Sequence, residues 1–264
     1  MELIQQLSQE LKLRPAQVEA AVRLLDEGNT IPFIARYRKE MTDSLDDAAL
    51  RGLSDRLEYL RNLQKRREEV IRSITEQEKL TPELETAIQA AATLAEVEDL
   101  YRPYKPKRRT RATVAREKGL EPLALLLFGQ SPDLAAPEEQ ARDYVNPEAG
   151  VNDVAEALAG ASDIIAELIS DDAAVRKSLR SLMQRTSVLR SAVAKDKEEA
   201  GAGYRIYFDF SQPVAKAQGH QILALNRGER EGFLKVSVET DREQALVCLR
   251  RAVLKPSGGA NAFV

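Results

Sequence analysis

The chain has 264 residues, 43% of them hydrophobic and 31% charged, with one cysteine, one histidine and no tryptophan. That is too apolar for a disordered chain and too poor in cysteine for a disulfide scaffold. A net charge of −3 excludes a globally basic nucleic-acid binder, so any such footprint has to be local.

No run of about 18 apolar residues occurs, so no transmembrane helix is expected. The opening Met1-Glu2-Leu3-Ile4-Gln5-Gln6 lacks the basic and apolar regions of a secretion signal. Cys248 has no second cysteine to pair with, which fits a reducing compartment. The cytoplasm is the expected location.

In chain order, Pro15 opens a helix in which Val18, Ala21, Val22 and Leu25 recur at helical spacing, and Gly28-Asn29 ends it. A second short element starts at Thr30-Ile31-Pro32 and carries Phe33, Ile34 and Tyr37 beside Arg36, Arg38 and Lys39. Short helices, a glycine turn and a basic end resemble a helix-turn-helix fragment, although a plain helical bundle looks the same. Ser44-Leu45-Asp46-Asp47 is a capping signal. From it Leu50, Leu53, Leu57, Leu60, Leu63, Val70, Ile71 and Ile74 follow one helix face. The spacing predicts about 34 residues and about 50 Å of helix. The opposite face carries Arg51, Arg56, Arg61, Lys65, Arg66, Arg67 and Arg72 among acids and reads as solvated, laced with i,i+4 pairs.

Thr81-Pro82 and Thr93-Leu94-Ala95-Glu96 start two further helices, the second ending near Leu100-Tyr101. Pro103 and Pro106 exclude a regular helix between them. Short helices are predicted at Val114–Lys118 and from Glu121-Pro122 to Phe128, and Ser131–Gly150 reads as a surface connection. Val154 to Ile169 marks one helix or two, and Val175 to Met183 another. Phe233–Val238 alternates like a strand, Thr186–Ala194 does so weakly, and Asp241 caps a last helix through Leu254.

The fold class expected is mainly α. It comprises a helix-turn-helix-like N-terminal bundle over 1–44 and a long central helix with a basic extended segment over 45–130. A second helical region with short strands near the C-terminus follows over 131–254, and 255–264 is a flexible tail or a linker to further domains.

Chemistry is sparse. One Cys and one His give no zinc spacing, and Gly201-Ala202-Gly203 lacks the rest of a phosphate loop. His220 stands without a nucleophile motif. Glu96, Glu98 and Asp99 read as internal charge partners rather than a metal site. No catalytic residue, metal site or cofactor is expected.

The exception is Tyr101–Arg111. Six of the ten residues from Arg102 to Arg111 are Lys or Arg, none is acidic, and two tyrosines lie at Tyr101 and Tyr104. Such a strip can track a phosphate backbone while a tyrosine stacks on a base. Equally, Arg108, Arg109 and Arg111 can clamp acids elsewhere in the protein, Glu98 and Asp99 being the nearest in sequence. Both readings stand on the residues alone.

Two longer segments carry a resemblance. Ile31-Pro32-Phe33-Ile34-Ala35-Arg36-Tyr37-Arg38-Lys39-Glu40, and Val97 to Ala112 followed by Gly119-Leu120-Glu121-Pro122-Leu123, are similar to the N-terminal region of the bacterial Tex family of transcription accessory proteins. Tyr207-Phe208-Asp209-Phe210 and Leu223 to Gly232 resemble later segments of the same family. The sequence departs from the family at Asp43, where a Gly is expected, at Arg102, where an apolar residue is expected, and at Gly219-His220-Gln221, where Ser-His-Arg is expected.

The resemblance implies a cytoplasmic protein that binds nucleic acid, chiefly RNA with DNA as the other candidate, and acts around transcription. It also implies RNase H-like, helix-hairpin-helix and OB-fold domains beyond this stretch, so a portion of a longer protein is expected. The candidate contacts are Arg36, Arg38, Lys39, Tyr104, Lys105, Lys107, Arg108, Arg109 and Arg111. The competing expectation is a helical scaffold that positions other domains and docks on the transcription machinery without touching nucleic acid.

Overall fold

The computed structural model describes residues 2–106 and 108–256, and the protein is mainly helical with one small sheet. It divides into two compact units, Met1–Tyr101 and Arg102–Val264.

The first unit opens with α1 (Glu2–Leu11), α2 (Pro15–Asp26) and α3 (Ile31–Tyr37). Pro15 occupies the first position of α2, where its missing N–H costs nothing. Gly28 turns the chain at φ +85°, and the Asn29 amide donates to the Leu24 carbonyl at 2.8 Å. Only Ile34 of α3 is buried. The chain then turns a corner through Asp43 and Ser44, both in the left-handed region. Asp43 pairs with Arg14, and its carbonyl accepts from the Gln17 amide at 3.1 Å.

The spine is α4 (Asp47–Thr75), 29 residues and so about 44 Å long. Asp46 caps it, accepting from the Ala49 N–H at 2.7 Å. Leu50, Leu53, Leu57, Leu60, Leu63, Val70 and Ile74 are its buried stripe, as the spacing predicts. The helix takes in the whole apolar stripe but is shorter than the roughly 34 residues expected. Glu78 takes the left-handed conformation and lets the Lys79 N–H close on the Ile74 carbonyl at 3.2 Å. No glycine marks that stop, so it leaves no trace in the sequence. Next, α5 (Pro82–Ala90) is capped by Thr81, and α6 (Leu94–Tyr101) completes the unit.

The charged face of α4 differs from expectation. An i,i+4 pair forms between Arg51 and Asp47, but the next three arginines, five residues apart, reach other helices. Arg56 holds Glu10 of α1 at 2.5 Å, Arg61 holds Asp26 of α2 at 2.6 Å, and Arg66 holds Glu98 of α6 at 2.6 Å. These arginines bind the short helices to the spine. Their hydrogen bonds hold the Glu10 and Asp26 carboxyls below the ordinary carboxylate range.

The second unit builds one core from α7 (Arg111–Glu117), α8 (Glu121–Phe128), α9 (Pro137–Arg142) and α10 (Val154–Asp171). Leu120, Leu123, Leu127, Ala157, Ala161 and Ile164 fill it. The 131–150 connection contributes α9, whose Ala141 is fully buried. α10 is one helix, capped by Asp153. At Gly160 a Cβ would lie 2.3 Å from Leu120 Cδ1, so the glycine allows α10 to approach α8's entry closely.

Beyond α11 (Ala173–Thr186) lies a three-stranded antiparallel sheet in the order β2-β1-β3, with β1 at Val188–Val193, β2 at Asp209–Pro213 and β3 at Leu234–Glu239. Ser191 faces Phe210 on one side and Val236 on the other. The first and last strands match the alternation in the sequence. The edge strand β2, Asp209-Phe210-Ser211-Gln212-Pro213, has no apolar period of its own and pairs with β1. α12 (Gly219–Arg230) covers the sheet through Leu225 against Tyr207 and Leu234, and α13 (Arg242–Val253) follows its Asp241 cap. At the end, the Lys255 N–H donates to the Gln130 side chain at 2.9 Å, and the tail expected over 255–264 otherwise lies, from Ser257, outside the described residues.

Candidate nucleic-acid interface

The sequence-predicted contacts fall in two places, one on each unit. On the first unit, α3 is anchored by Ile34, with Ile31 and Ala35 half-buried, and the other residues of the helix are exposed. Arg36, Arg38 and Lys39 are all exposed, and none forms an ion pair among the described residues. This contrasts with Arg14, Arg51, Arg56, Arg61 and Arg66 of the same unit, each matched to a carboxylate.

Two aromatic rings accompany these cations. Phe33 is 36% exposed and Tyr37 is 66% exposed. Their centroids lie 5.3 Å apart with the planes at 46°, and the Arg38 guanidinium sits 5.2 Å from the Phe33 centroid. The candidate contacts expected from the sequence include these cations and not the rings. Their spacing of four, with a polar or charged residue on either side of Tyr37, was the signal available.

On the second unit the basic strip is shaped differently from a free phosphate track. Arg102–Tyr104 form a single 3₁₀ turn, and Arg111 is already the first residue of α7, which Thr110 caps. Facing them, Asp163, Glu167 and Asp171 stand four residues apart on α10 and so share one face. Arg111 meets Asp163 at 3.3 Å, and Arg102 meets Asp171 at 2.9 Å. Between them Glu167 accepts from the Thr110 hydroxyl at 3.1 Å and from Arg116 at 2.6 Å. The carboxylates are well covered, with the Asp171 side chain 12% exposed and that of Glu167 15%. Clamping of the strip therefore runs to α10, a partner that nearness in sequence does not suggest. Glu98, the nearer acid, is held by Arg66.

Arg102, where the resemblance leads to the expectation of an apolar residue, is the cation that answers Asp171. At Gly219-His220-Gln221 the glutamine side chain accepts from the Gln218 N–H at 2.9 Å and helps start α12. The clamp leaves part of the strip outward. Arg109 pairs with Glu117 at 2.7 Å while 69% exposed, the Arg111 side chain is 88% exposed, and Arg108 is exposed with no ion pair among the described residues. Tyr104 and Lys105 are half-buried, and Lys107 lies outside the described residues.

Elsewhere the chemistry is structural. Glu96 accepts from the Ala92 N–H at 2.8 Å at the start of α6, Asp99 is buried, and His220 is exposed. Among the described residues no three His, Cys, Asp or Glu side chains gather as metal ligands, and no helix is long and apolar enough to cross a membrane.

Comparison with known proteins places these features. The sequence profile of the Tex-like protein N-terminal domain matches residues 1–75, which include the α3 patch, and that of the Tex central region matches 133–255. The basic strip falls between the two. The chain is 49% identical to Protein tex of Bordetella pertussis, over 91% of this chain and 30% of that protein. It is 43% identical to the transcriptional accessory protein Tex of Neisseria gonorrhoeae, over 90% of this chain and 31% of that one. It is 32% identical to the human S1 RNA-binding domain-containing protein 1, over 90% of this chain and 24% of that one. The chain thus spans about a third or less of the length of the relatives it matches. With both profiles in register and the two long motifs in place, the chain belongs to the Tex family, as a region from that family's N-terminal side.

Proposed function

We propose that this chain is a nucleic-acid-binding region, chiefly for RNA, of a cytoplasmic transcription accessory protein. The observation that carries the reading is the α3 surface, where Arg36, Arg38 and Lys39 lie together, exposed and without an ion pair among the described residues, in a unit where Arg14, Arg51, Arg56, Arg61 and Arg66 each meet a carboxylate. Unmatched cations at a helix end are free to release counterions from a phosphate backbone. Arg108, with Arg109 and Arg111 beside it, adds a second set of outward cations. The relatives' names, a transcriptional accessory protein and an S1 RNA-binding protein, support the same reading.

Binding of the full chain to single-stranded RNA and to duplex DNA across a salt series tests this. Each phosphate contact on a single strand contributes about −0.7 to the slope of log affinity against log salt, so three to five contacts predict about −2 to −3.5. Charge reversal by Arg36→Glu with Arg38→Glu should weaken binding about tenfold and flatten that slope by about 1.4. A flat salt dependence in the unaltered chain ends the proposal.

A second reading is favoured by the α10 clamp. A strip whose cations brace α10 suits a scaffold that positions other domains and docks on the transcription machinery. On that reading Arg108→Glu with Arg109→Glu leaves RNA binding unchanged.

A further inference from the structure

We propose that Tyr37 and Phe33 form a stacking platform for unpaired bases, so that the α3 site takes single-stranded rather than duplex nucleic acid. The inference rests on the nucleic-acid reading of the α3 cations and names the substrate class for that site.

Aromatic residues are scarce in this chain, at 5%, and most of their value in a fold comes from burial. Two of them nevertheless lie on one seven-residue helix whose only buried residue is Ile34. Phe33 and Tyr37 stand one turn apart, with centroids at 5.3 Å, and Tyr37 is 66% exposed. The Arg38 guanidinium lies over Phe33, which fixes that ring from one side. Among the described residues no guanidinium covers Tyr37 in this way. A base stacked on the Tyr37 ring would have its flanking phosphates within the reach of Arg36, Arg38 and Lys39, which flank that ring in the chain.

Size separates this from a protein-docking face. A stable protein interface buries about 800 Å² on each partner around a contiguous apolar centre. The exposed apolar groups here are two rings and Met41, and three cations are interleaved with them. That is too small and too charged for a protein core contact, but one or two ring faces suffice for bases. A duplex hides its base faces, so the same platform gains nothing from it.

The test compares three probes of equal length, about 12 nucleotides: oligoadenylate, an abasic phosphodiester strand and a duplex. Each is titrated into the full chain, into Tyr37→Ala and into Tyr37→Phe, with circular dichroism to confirm folding. The unaltered chain and Tyr37→Phe should prefer oligoadenylate about tenfold over the abasic strand and over the duplex, and Tyr37→Ala should lose that preference while keeping its affinity for the abasic strand. Equal affinity for base-bearing and abasic strands overturns the platform and leaves the phosphate reading intact. So does a preference that Tyr37→Ala does not change. A chain that binds none of the probes overturns the nucleic-acid reading together with the platform.

Discussion

Asp43 and Ser44 hold φ at 50° and 63°, a region where a Cβ crowds the backbone and a glycine does not. Asp43 sits where the resemblance leads to the expectation of a Gly, and the left-handed geometry is one that favours glycine. Asp43 tolerates the conformation better than most residues and adds an ion pair with Arg14, but both partners are exposed and such pairs contribute little. Asp43→Gly should therefore raise the unfolding free energy by about 0.5 kcal/mol, read as a higher denaturant midpoint at unchanged slope. A lowered midpoint would mean that the Arg14 pair and the cost of a flexible glycine in the unfolded chain outweigh the relief. The same scale explains what sequence reading missed at the site. Phe33 and Tyr37 were visible as helix-spaced aromatics, but periodicity cannot say whether such a face meets a core or water. Ile34 is the one fully buried residue of α3, Ile31 and Ala35 are half-buried, and Tyr37 is left outside with Phe33 partly so.

Elements were the most legible level. The apolar stripe of α4 is read directly from residues 50–74, and its start to within two residues, the cap being Asp46 where the capping signal begins at Ser44, because both signals are local. Its end depends on a left-handed Glu78, which carries no residue-type signature, and so the helix has 29 residues rather than the roughly 34 expected. Close packing between elements was not legible either. Gly160 lies in the middle of α10, where alanine would be favoured by about 1 kcal/mol on helix propensity. Yet a Cβ there would overlap Leu120 Cδ1 and press on Ala115, and both of those are buried. Gly160→Ala is expected to lower stability by about 1 kcal/mol net, since overpacking costs about 1–3 kcal/mol. Combined with Leu120→Ala it should cost less than the two changes summed, by a double-mutant cycle. A stabilised Gly160→Ala protein would show that Leu120 moves aside freely.

At the scale of the whole molecule, charge does more to organise the chain than its net of −3 suggests. In the first unit Arg56 and Arg61 tie α1 and α2 to α4 through Glu10 and Asp26, whose carboxyls are held below their ordinary range by those guanidinium hydrogen bonds. A carboxyl lowered in the folded state contributes stability that is complete above its unfolded value and is lost as pH falls through the folded one. Unfolding measured across pH should accordingly show stability falling below about pH 4, and Arg56→Gln with Arg61→Gln should flatten that limb. The pairs are partly exposed, so the difference is expected to be a few tenths of a kcal/mol per pair. An unchanged acid limb would show that the pairs are fully screened. In the second unit, the acidic ladder of α10 meets residues more than fifty positions away along the chain. The sequence by itself determined the helical class, the spine, two of the three strands and the family, because periodicity, caps and motifs are written in neighbouring residues. Only the tertiary structure decided which cations of the Tyr101–Arg111 strip are clamped and which face water. That outcome depends on Asp163, Glu167 and Asp171 being carried to the strip by the packing of α10 on α7, and no local signal in either segment names the other.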